Sequence, residues 1–451
     1  SYSNQGAYAS HGHAIAANGL TSWRLQYACP NIRGEAYTIY TNTPVGGAMR
    51  GYGIPQVCFA IESFMDDVAN EIHMDPLEFR RKNLIQGYYE DAYLKPIAAN
   101  TNGIFECLEK GAEYIHWDEK RKEYAEQTGD VRKGVGMALF SYKTGVWPIS
   151  LEIAGARLSL NQDGSVQLML GATEIGQGAD TVFSQMVAET LHTDMEHVHI
   201  KTVQDTDVSP FDTGAYASRQ SFVTGTAVRH CAEILRDKIL AYAKTLLPEI
   251  DTRELTLKDN WIWAGDEQAI SLAALAEESY YSLTNSSVLT AEVSEQVKKN
   301  TIATGCCFAE VEVDIKLGKI KILHIINVHD SGKLLNPQLA EMQVHGGMSM
   351  GMGYGISEQL ILDEKTGRPL NGNLLDYKLM TMLDTPDIKA DFVELCDPMG
   401  PYGNKALGEP PAIPCAPAIR NAVLHATGVA FYENPLTPQR LIDGFQKAGL
   451  I

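Results

Sequence analysis

The chain has 451 residues, 45% hydrophobic and 21% charged, enough to bury more than one core, so two or more subdomains are expected. Thirty-seven basic against 56 acidic side chains give a formal net charge of −19, and no long lysine/arginine run is present, which argues against a phosphate-backbone partner such as nucleic acid. No stretch of about 18 apolar residues occurs to span a membrane, and the N-terminal Ser-Tyr-Ser-Asn-Gln-Gly lacks the basic and apolar regions of a signal peptide.

Taken in chain order, helices and strands alternate. His11 and His13 form an H-x-H pair without a third ligand at useful spacing and read as surface or structural histidines. Val57, Ile61, Phe64, Met65, Val68 and Ile72 fall at helical spacing between Gln56 and Ile72, with Asp66-Asp67 read as a surface pair. Asp75-Pro76-Leu77-Glu78 then opens another helix with a capping box. Two apolar runs flank Asn161-Gln-Asp-Gly-Ser165 and predict a hairpin, after which Thr173-Glu-Ile-Gly-Gln-Gly178 leads into a helix. Val228, Cys231, Leu235, Ile239, Tyr242 and Leu246 line a long amphipathic helix. Residues 257–296 are polar and partly irregular and read as a subdomain linker. A second hairpin surrounds Lys316-Leu-Gly-Lys319. His329-Asp330, before a Ser-Gly turn, reads as strand-end hydrogen bonding.

A helix starting at Asn336-Pro337 becomes glycine-dense from Gly346 to Gly355. Two readings fit it: close packing with methionine as adaptable filling, or room left for a planar cofactor with Gln343 offering its amide. The eight cysteines contain no C-x-x-C, against a disulfide framework or thiolate cluster within this chain, and cytoplasmic residence is the default expectation. In Lys405-Ala-Leu-Gly-Glu-Pro-Pro-Ala-Ile-Pro414, Pro410 biases Glu409 toward an extended conformation on a stiff loop, near the start of a helix that Gly428 stops.

That run closely resembles the KxxGEPP segment of the xanthine oxidase family of molybdenum hydroxylases. Three other runs match in the same order: Gly47-Ala-Met-Arg-Gly-Tyr-Gly-Ile-Pro-Gln56, Thr173-Glu-Ile-Gly-Gln-Gly178, and Asp212-Thr-Gly-Ala-Tyr-Ala-Ser-Arg219 followed by Gly225. The resemblance covers nearly the whole chain and places it in the C-terminal part of the molybdopterin-binding subunit. It implies an α/β (α+β) fold in which two mixed subdomains clasp the cofactor. Residues 1–130 would end the first subdomain, 131–295 form the second with the G-Q-G loop, and 296–451 be a mixed segment with the catalytic-glutamate loop.

The chemistry implied is hydroxylation of a purine or other N-heteroaromatic with water as oxygen source. Electrons would pass through the pterin to iron–sulfur centres and FAD on partner chains. The resemblance assigns Glu409 as catalytic base, and Gly176, Gln177, Gly178, Arg50, Gly51, Ala217, Ser218 and Gln343 to the molybdenum cofactor, a molybdopterin that can carry a cytosine dinucleotide. Tyr52, Phe140, Ala215 and Tyr216 are assigned to the substrate, Phe140 being equally readable as core. No side chain is expected to ligate the metal. The implied partners are an N-terminal half of the molybdenum subunit, an iron–sulfur subunit and an FAD subunit. Two departures limit the resemblance: Asn18 stands at the spacing of the substrate-orienting arginine of purine hydroxylases, with Arg24 nearest, which leaves substrate identity open, and the subunit's first half is absent from this chain, as expected of a cut or split subunit. Aldehyde or aromatic acyl-thioester oxidation is the alternative within the family, and a cofactor-free structural paralogue the alternative outside it.

Overall fold

The structure, a computed structural model, describes residues 1–87, 89–90, 96–97, 101–201, 204–251 and 254–451. Its contacts divide the chain into two units. One comprises Ser1–Lys143, Thr301–Asp397 and Lys405–Ile451; the other comprises Thr144–Asn300 and Pro398–Asn404.

The first unit is built on a four-stranded sheet in the order Asp387–Phe392, Lys319–Asp330, Ile302–Asp314, Val131–Lys143, antiparallel except for the parallel edge strand Asp387–Phe392. Both faces are covered, so the strands read as nearly continuous apolar runs rather than as alternation. Met137, Leu139, Cys306 and Phe308 face the helix Ile104–Ile115. Ala138, Cys307 and Ala309 face the helices Pro337–Ile356 and Cys415–Thr427. The second of these lies against the strand backbone because Gly134 and Gly136 have no side chain: a Cβ on either would come within 2.1 Å of an Ala422 backbone atom.

The second unit carries a four-stranded sheet ordered Thr290–Gln296, Ile153–Leu160, Val166–Leu170, Val198–Ile200, with the helices Ala179–Leu191 and Gly225–Leu246 packed together and the longer one against the sheet. Both expected hairpins are present, as Ile153–Leu160 with Val166–Leu170 and Ile302–Asp314 with Lys319–Asp330. Asp75 caps the helix Pro76–Asn83, its carboxylate accepting from the N–H groups of Leu77 and Glu78.

Several expectations are corrected. The strand Val131–Lys143 pairs along its whole length with Ile302–Asp314, so the segments read as 1–130 and 296–451 belong to one unit and the second unit is inserted between residues 143 and 301. The segment 257–296 is no linker: it holds two strands and the helix Leu272–Tyr281, and ends on the edge strand Thr290–Gln296. Asp66 is buried against Arg80, and Asp67 pairs with the buried Arg420. A surface reading of these aspartates fails because their cationic partners lie on other helices, Arg80 on Pro76–Asn83 and Arg420 on Cys415–Thr427.

Candidate active site

In the first unit the loop ahead of the helix Ile54–Glu71 carries three consecutive positive φ angles: Gly51 (96°), Tyr52 (46°) and Gly53 (87°). The glycines are required here. A Cβ on Gly51 would meet Pro55 at 2.7 Å, and one on Gly53 would meet the Ile15 carbonyl oxygen at 2.3 Å. Tyr52 is the costly member, since side-chain-bearing residues seldom adopt this region. It is held by the Asn18 amide, which donates to its carbonyl at 2.9 Å, and by its own hydroxyl, which donates to the His11 carbonyl at 2.9 Å.

This turn aims Arg50 at two other segments. Its Nε donates to the Gly408 carbonyl at 2.6 Å, and its Nη2 to the Gln343 carbonyl at 2.9 Å and the Gln343 Oε1 at 3.3 Å. One guanidinium thus joins the R-G-Y-G turn, the glycine-dense helix and the Glu409 loop. Burial lowers the pKa of Arg50, with the neighbouring Glu409 opposing the shift.

Glu409 sits inside that frame. Burial pushes its carboxyl up to about 7, against the charge of Arg50 and a hydrogen bond from the Gly51 N–H, which both favour ionisation. Its backbone is not extended. At φ −97°, ψ −35° it caps a short 3-10 turn, Pro410–Ala412, and its carbonyl accepts from the Ala412 N–H at 3.2 Å. That turn and the Arg50 grip on Gly408 override the bias imposed by the following proline. Further back, Lys405 is buried and donates to the Asp330 carboxylate at 2.8 Å and the Thr101 carbonyl at 3.0 Å, pinning the loop to the end of a core strand.

The glycine-dense segment stays helical through Ile356 and serves both suggested purposes at different residues. A Cβ on Gly347 would meet Pro411 at 2.5 Å and one on Gly351 would meet the Ala412 oxygen at 2.8 Å, so these glycines permit packing. Gly346 is exposed, and the nearest atom to a Cβ there is Arg50 Nη1 at 3.6 Å. It leaves an open face beside Gln343.

Phe140, expected as a substrate wall, is instead core: it is 1% exposed and its ring lies 4.9 Å from that of His329. Phe140, Gly305, His329 and Phe392 form one row across the sheet, and the missing side chain at Gly305 lets the rings on either side meet. The strand-end hydrogen bonding read into His329-Asp330 belongs to Asp330, which accepts from the Gly103 and Gly332 N–H groups. His329 is fully buried, neither ring nitrogen has a hydrogen-bond partner among the described residues, and burial with the nearby Arg50 charge lowers its pKa to about 3.

In the second unit, Gly176 (φ 95°) and Gly178 (φ 84°) bend the G-Q-G loop into the helix Ala179–Leu191. Gly176 is exposed, with no atom within 4 Å of a Cβ position. The Gln177 amide is engaged within the loop: its Oε1 accepts from the Ile175 N–H, and its Nε2 donates to the Thr173 carbonyl and to Gln220 Oε1. The expectation that this amide is simply offered outward is therefore modified, because it first shapes the loop. Glu174, which sequence reasoning passed over, accepts from the N–H groups of Gly176, Gly178 and Asp180. Burial raises its pKa and these bonds more than offset that, leaving it lowered.

Ala215, Tyr216, Ala217 and Ser218 form a loop with Ala217 and Ser218 both at positive φ (48° and 50°). Ala215 and Tyr216 are exposed. Beneath them Arg219 is fully buried, bonded to Glu152, to Asp212 at 2.6 Å and to the Gly214 and Ile153 carbonyls, with its guanidinium 5.5 Å from the Tyr216 ring centroid. Arg219 ends the quoted motif and Asp212 begins it; only the fold shows that the two make a buried pair supporting the loop.

Protein-family models described as molybdopterin cofactor-binding domain match residues 1–84 and 110–386. The chain is 48% identical over 454 residues to the putative xanthine dehydrogenase molybdenum-binding subunit XdhA of Escherichia coli (strain K12), matching 100% of this chain and 60% of that protein. It is 31% identical to the probable hypoxanthine oxidase XdhD of the same organism, over 98% of this chain and 46% of that one. Among solved structures, quinoline 2-oxidoreductase from Pseudomonas putida 86 superposes with a TM-score of 0.90 at 23% identity, covering 99% of this chain and 59% of that one, a likeness of fold. The chain thus spans about 60% or less of the length of these relatives.

Proposed function

Because this chain belongs to the xanthine oxidase family of molybdenum hydroxylases, as part of the molybdopterin-binding subunit, we propose that it contributes the general base and part of the cofactor cradle for hydroxylation of a purine or other N-heteroaromatic ring. The observation that carries this reading is Glu409: a carboxyl raised to about 7, held by the arginine that also grips Gln343. A base poised near neutrality combines ionisation at working pH with useful proton affinity.

The residues present fit a molybdopterin. Gly346 and Gly176 are exposed where packing does not demand glycine, and Gln343 lies on the open helix face beside Gly346. In this reading Arg50, Gly51 and Gln343 are the cofactor-facing residues of the first unit; for Gly176, Gln177, Gly178, Ala217 and Ser218 of the second, the same role rests on the motif resemblance alone. When bound, that group supplies the oxygen-transfer and two-electron chemistry. Glu409 receives at its carboxylate the proton of the water that provides the oxygen. Arg50 fixes the loop that presents Glu409 and keeps its pKa from rising further. Tyr52 and the exposed Tyr216 present rings to the substrate; the Tyr52 hydroxyl is already committed to His11, so its contribution is the ring face. Iron–sulfur and FAD subunits, the remaining part of the molybdenum subunit and cytoplasmic residence belong to the same reading. The eight thiols, all free and six of them buried, support the last.

Asn18 supports the alternative of an aldehyde or acyl-thioester substrate, since it brings no cation and spends its amide on the Tyr52 carbonyl. A screen of purines, pyridine carboxylates and aldehydes on the assembled holoenzyme with a dye acceptor separates the two. The proposal expects higher kcat/KM for the rings, and expects Tyr216→Ala to weaken them selectively by about 0.5–1.5 kcal/mol. Preference for aldehydes would reject the ring assignment, and an assembled protein without molybdenum would favour a structural role.

A further inference from the structure

The helix Gly12–Ser22 and the residue just ahead of it hold Tyr52 at both its ends. Asn18 donates to the Tyr52 carbonyl at 2.9 Å, and the His11 carbonyl accepts from the Tyr52 hydroxyl at 2.9 Å. That same His11 oxygen accepts from the Ala14 N–H at 3.1 Å, so the His11 backbone is fixed from two sides. Tyr52 is fixed as well, its N–H donating to the Met49 carbonyl at 2.8 Å within the turn of three positive φ angles. Its neighbour Gly51 supplies the N–H that reaches the Glu409 carboxylate. One pinned stretch of the first unit therefore leads from the base, through Tyr52, to His11.

The His11 imidazole takes no part in that pinning. It is exposed, and it meets the Tyr52 ring at 72° with the ring centroids 6.4 Å apart. Its Nδ1 lies 3.5 Å from the Tyr52 hydroxyl oxygen, much closer than the ring centres, so the imidazole stands off the hydroxyl end of the phenol rather than over its face. The two rings make a corner, with Tyr52 as a flat apolar wall and His11 as a polar upright. A flat molecule stacked on Tyr52 turns its edge toward the imidazole. The Tyr52 hydroxyl hydrogen is spent on the His11 carbonyl and the Asn18 amide on the Tyr52 carbonyl, which leaves the imidazole to supply a ring N–H or a lone pair at this corner.

We propose that His11 is a specificity-determining residue of the substrate site, which hydrogen-bonds the oxo-bearing edge of an oxo-substituted N-heteroaromatic whose face lies on Tyr52. The proposal rests on the reading that Tyr52 lines that site. It supplies a polar contact where Asn18 brings no cation. In a neutral imidazole one nitrogen donates and the other accepts, and an oxo group beside a ring N–H offers the complement of either. One hydrogen bond near solvent discriminates modestly, by about three- to tenfold. Since the contact orients the ring away from the reacting bond, it acts alike on bound substrate and transition state and is read in KM rather than kcat.

The test uses the assembled holoenzyme and a matched pair of rings, hypoxanthine and unsubstituted purine, which differ in the oxo group and its adjoining N–H. Because Tyr52 is anchored on the His11 main chain, His11→Ala removes the imidazole and keeps that anchor. It should raise both KM and the calorimetric Kd for hypoxanthine by about three- to tenfold, hold kcat within about twofold, and leave purine unchanged. His11→Gln, which again carries a donor and an acceptor, should recover part of the loss. His13→Ala, at an imidazole bonded to the Ser10 carbonyl, should alter neither ring. Equal losses for the two rings would show that His11 only supports Tyr52, and unchanged constants for both would show that it touches no substrate; either result overturns the proposal. A holoenzyme that oxidises aldehydes and binds neither ring would overturn the ring reading and this proposal with it, whereas ring turnover and binding indifferent to His11→Ala overturn this proposal alone.

Discussion

Glu409→Gln removes the titrating group at nearly constant volume, and its effect on stability can be worked out. The carboxyl stands at about 7 in the folded chain against an ordinary value of 4.5. The shift of about 2.5 units corresponds to about 3.4 kcal/mol between protonation states. The folded form keeps its proton to higher pH than the unfolded chain does. Unfolding therefore releases a proton between the two values, and stability falls as pH rises through that window. From pH 5 to pH 8 this group alone should cost about 2.5 kcal/mol. Other titrating groups are common to both proteins, so the gap in unfolding free energy, variant minus wild type, should grow by about that amount across the same range. Urea denaturation at several pH values, followed by intrinsic fluorescence, measures it. The Arg50→Met protein should show Glu409 destabilising the fold more strongly still, because the charge that favours its ionisation is gone. A gap that stays flat or shrinks with rising pH would refute a raised pKa, and with it the reason for assigning Glu409 as a base.

Gly346→Leu should leave thermal stability nearly unchanged while lowering molybdenum content of the assembled protein. Gly351→Ala should instead destabilise by about 1–3 kcal/mol by pushing a methyl into the Ala412 carbonyl and Cys415; metal analysis and melting on the same samples separate the two. Lys405→Met should cost about 3–5 kcal/mol, because it takes the cation from a buried Asp330 carboxylate and loosens the Glu409 loop. Denaturant titration would contradict this if the loss fell below about 1 kcal/mol.

What could be read from the sequence was local: helix periodicities, both hairpins, the Asp75 cap, the Gly428 stop and the loop bearing Glu409. What escaped it depends on distant partners. No local signal pairs Val131–Lys143 with a strand beginning at Ile302, so the discontinuous first unit was split. The proline rule for Glu409 is a steric preference small enough for one guanidinium and a 3-10 hydrogen bond to reverse. Phe140 is core because a glycine on the neighbouring strand opens the space its ring fills, a relation between positions 140 and 305. Arg50 was legible as a motif residue; its grip on two segments, each more than 290 residues further along the chain, was not.

The central claim, that Glu409 is the base of a molybdenum hydroxylase, is tested most directly by measuring metal content and steady-state turnover on one preparation of the assembled Glu409→Gln holoenzyme. The account predicts molybdenum at the wild-type level with turnover lowered about 10²–10⁴-fold. Full molybdenum with turnover near wild type would contradict it.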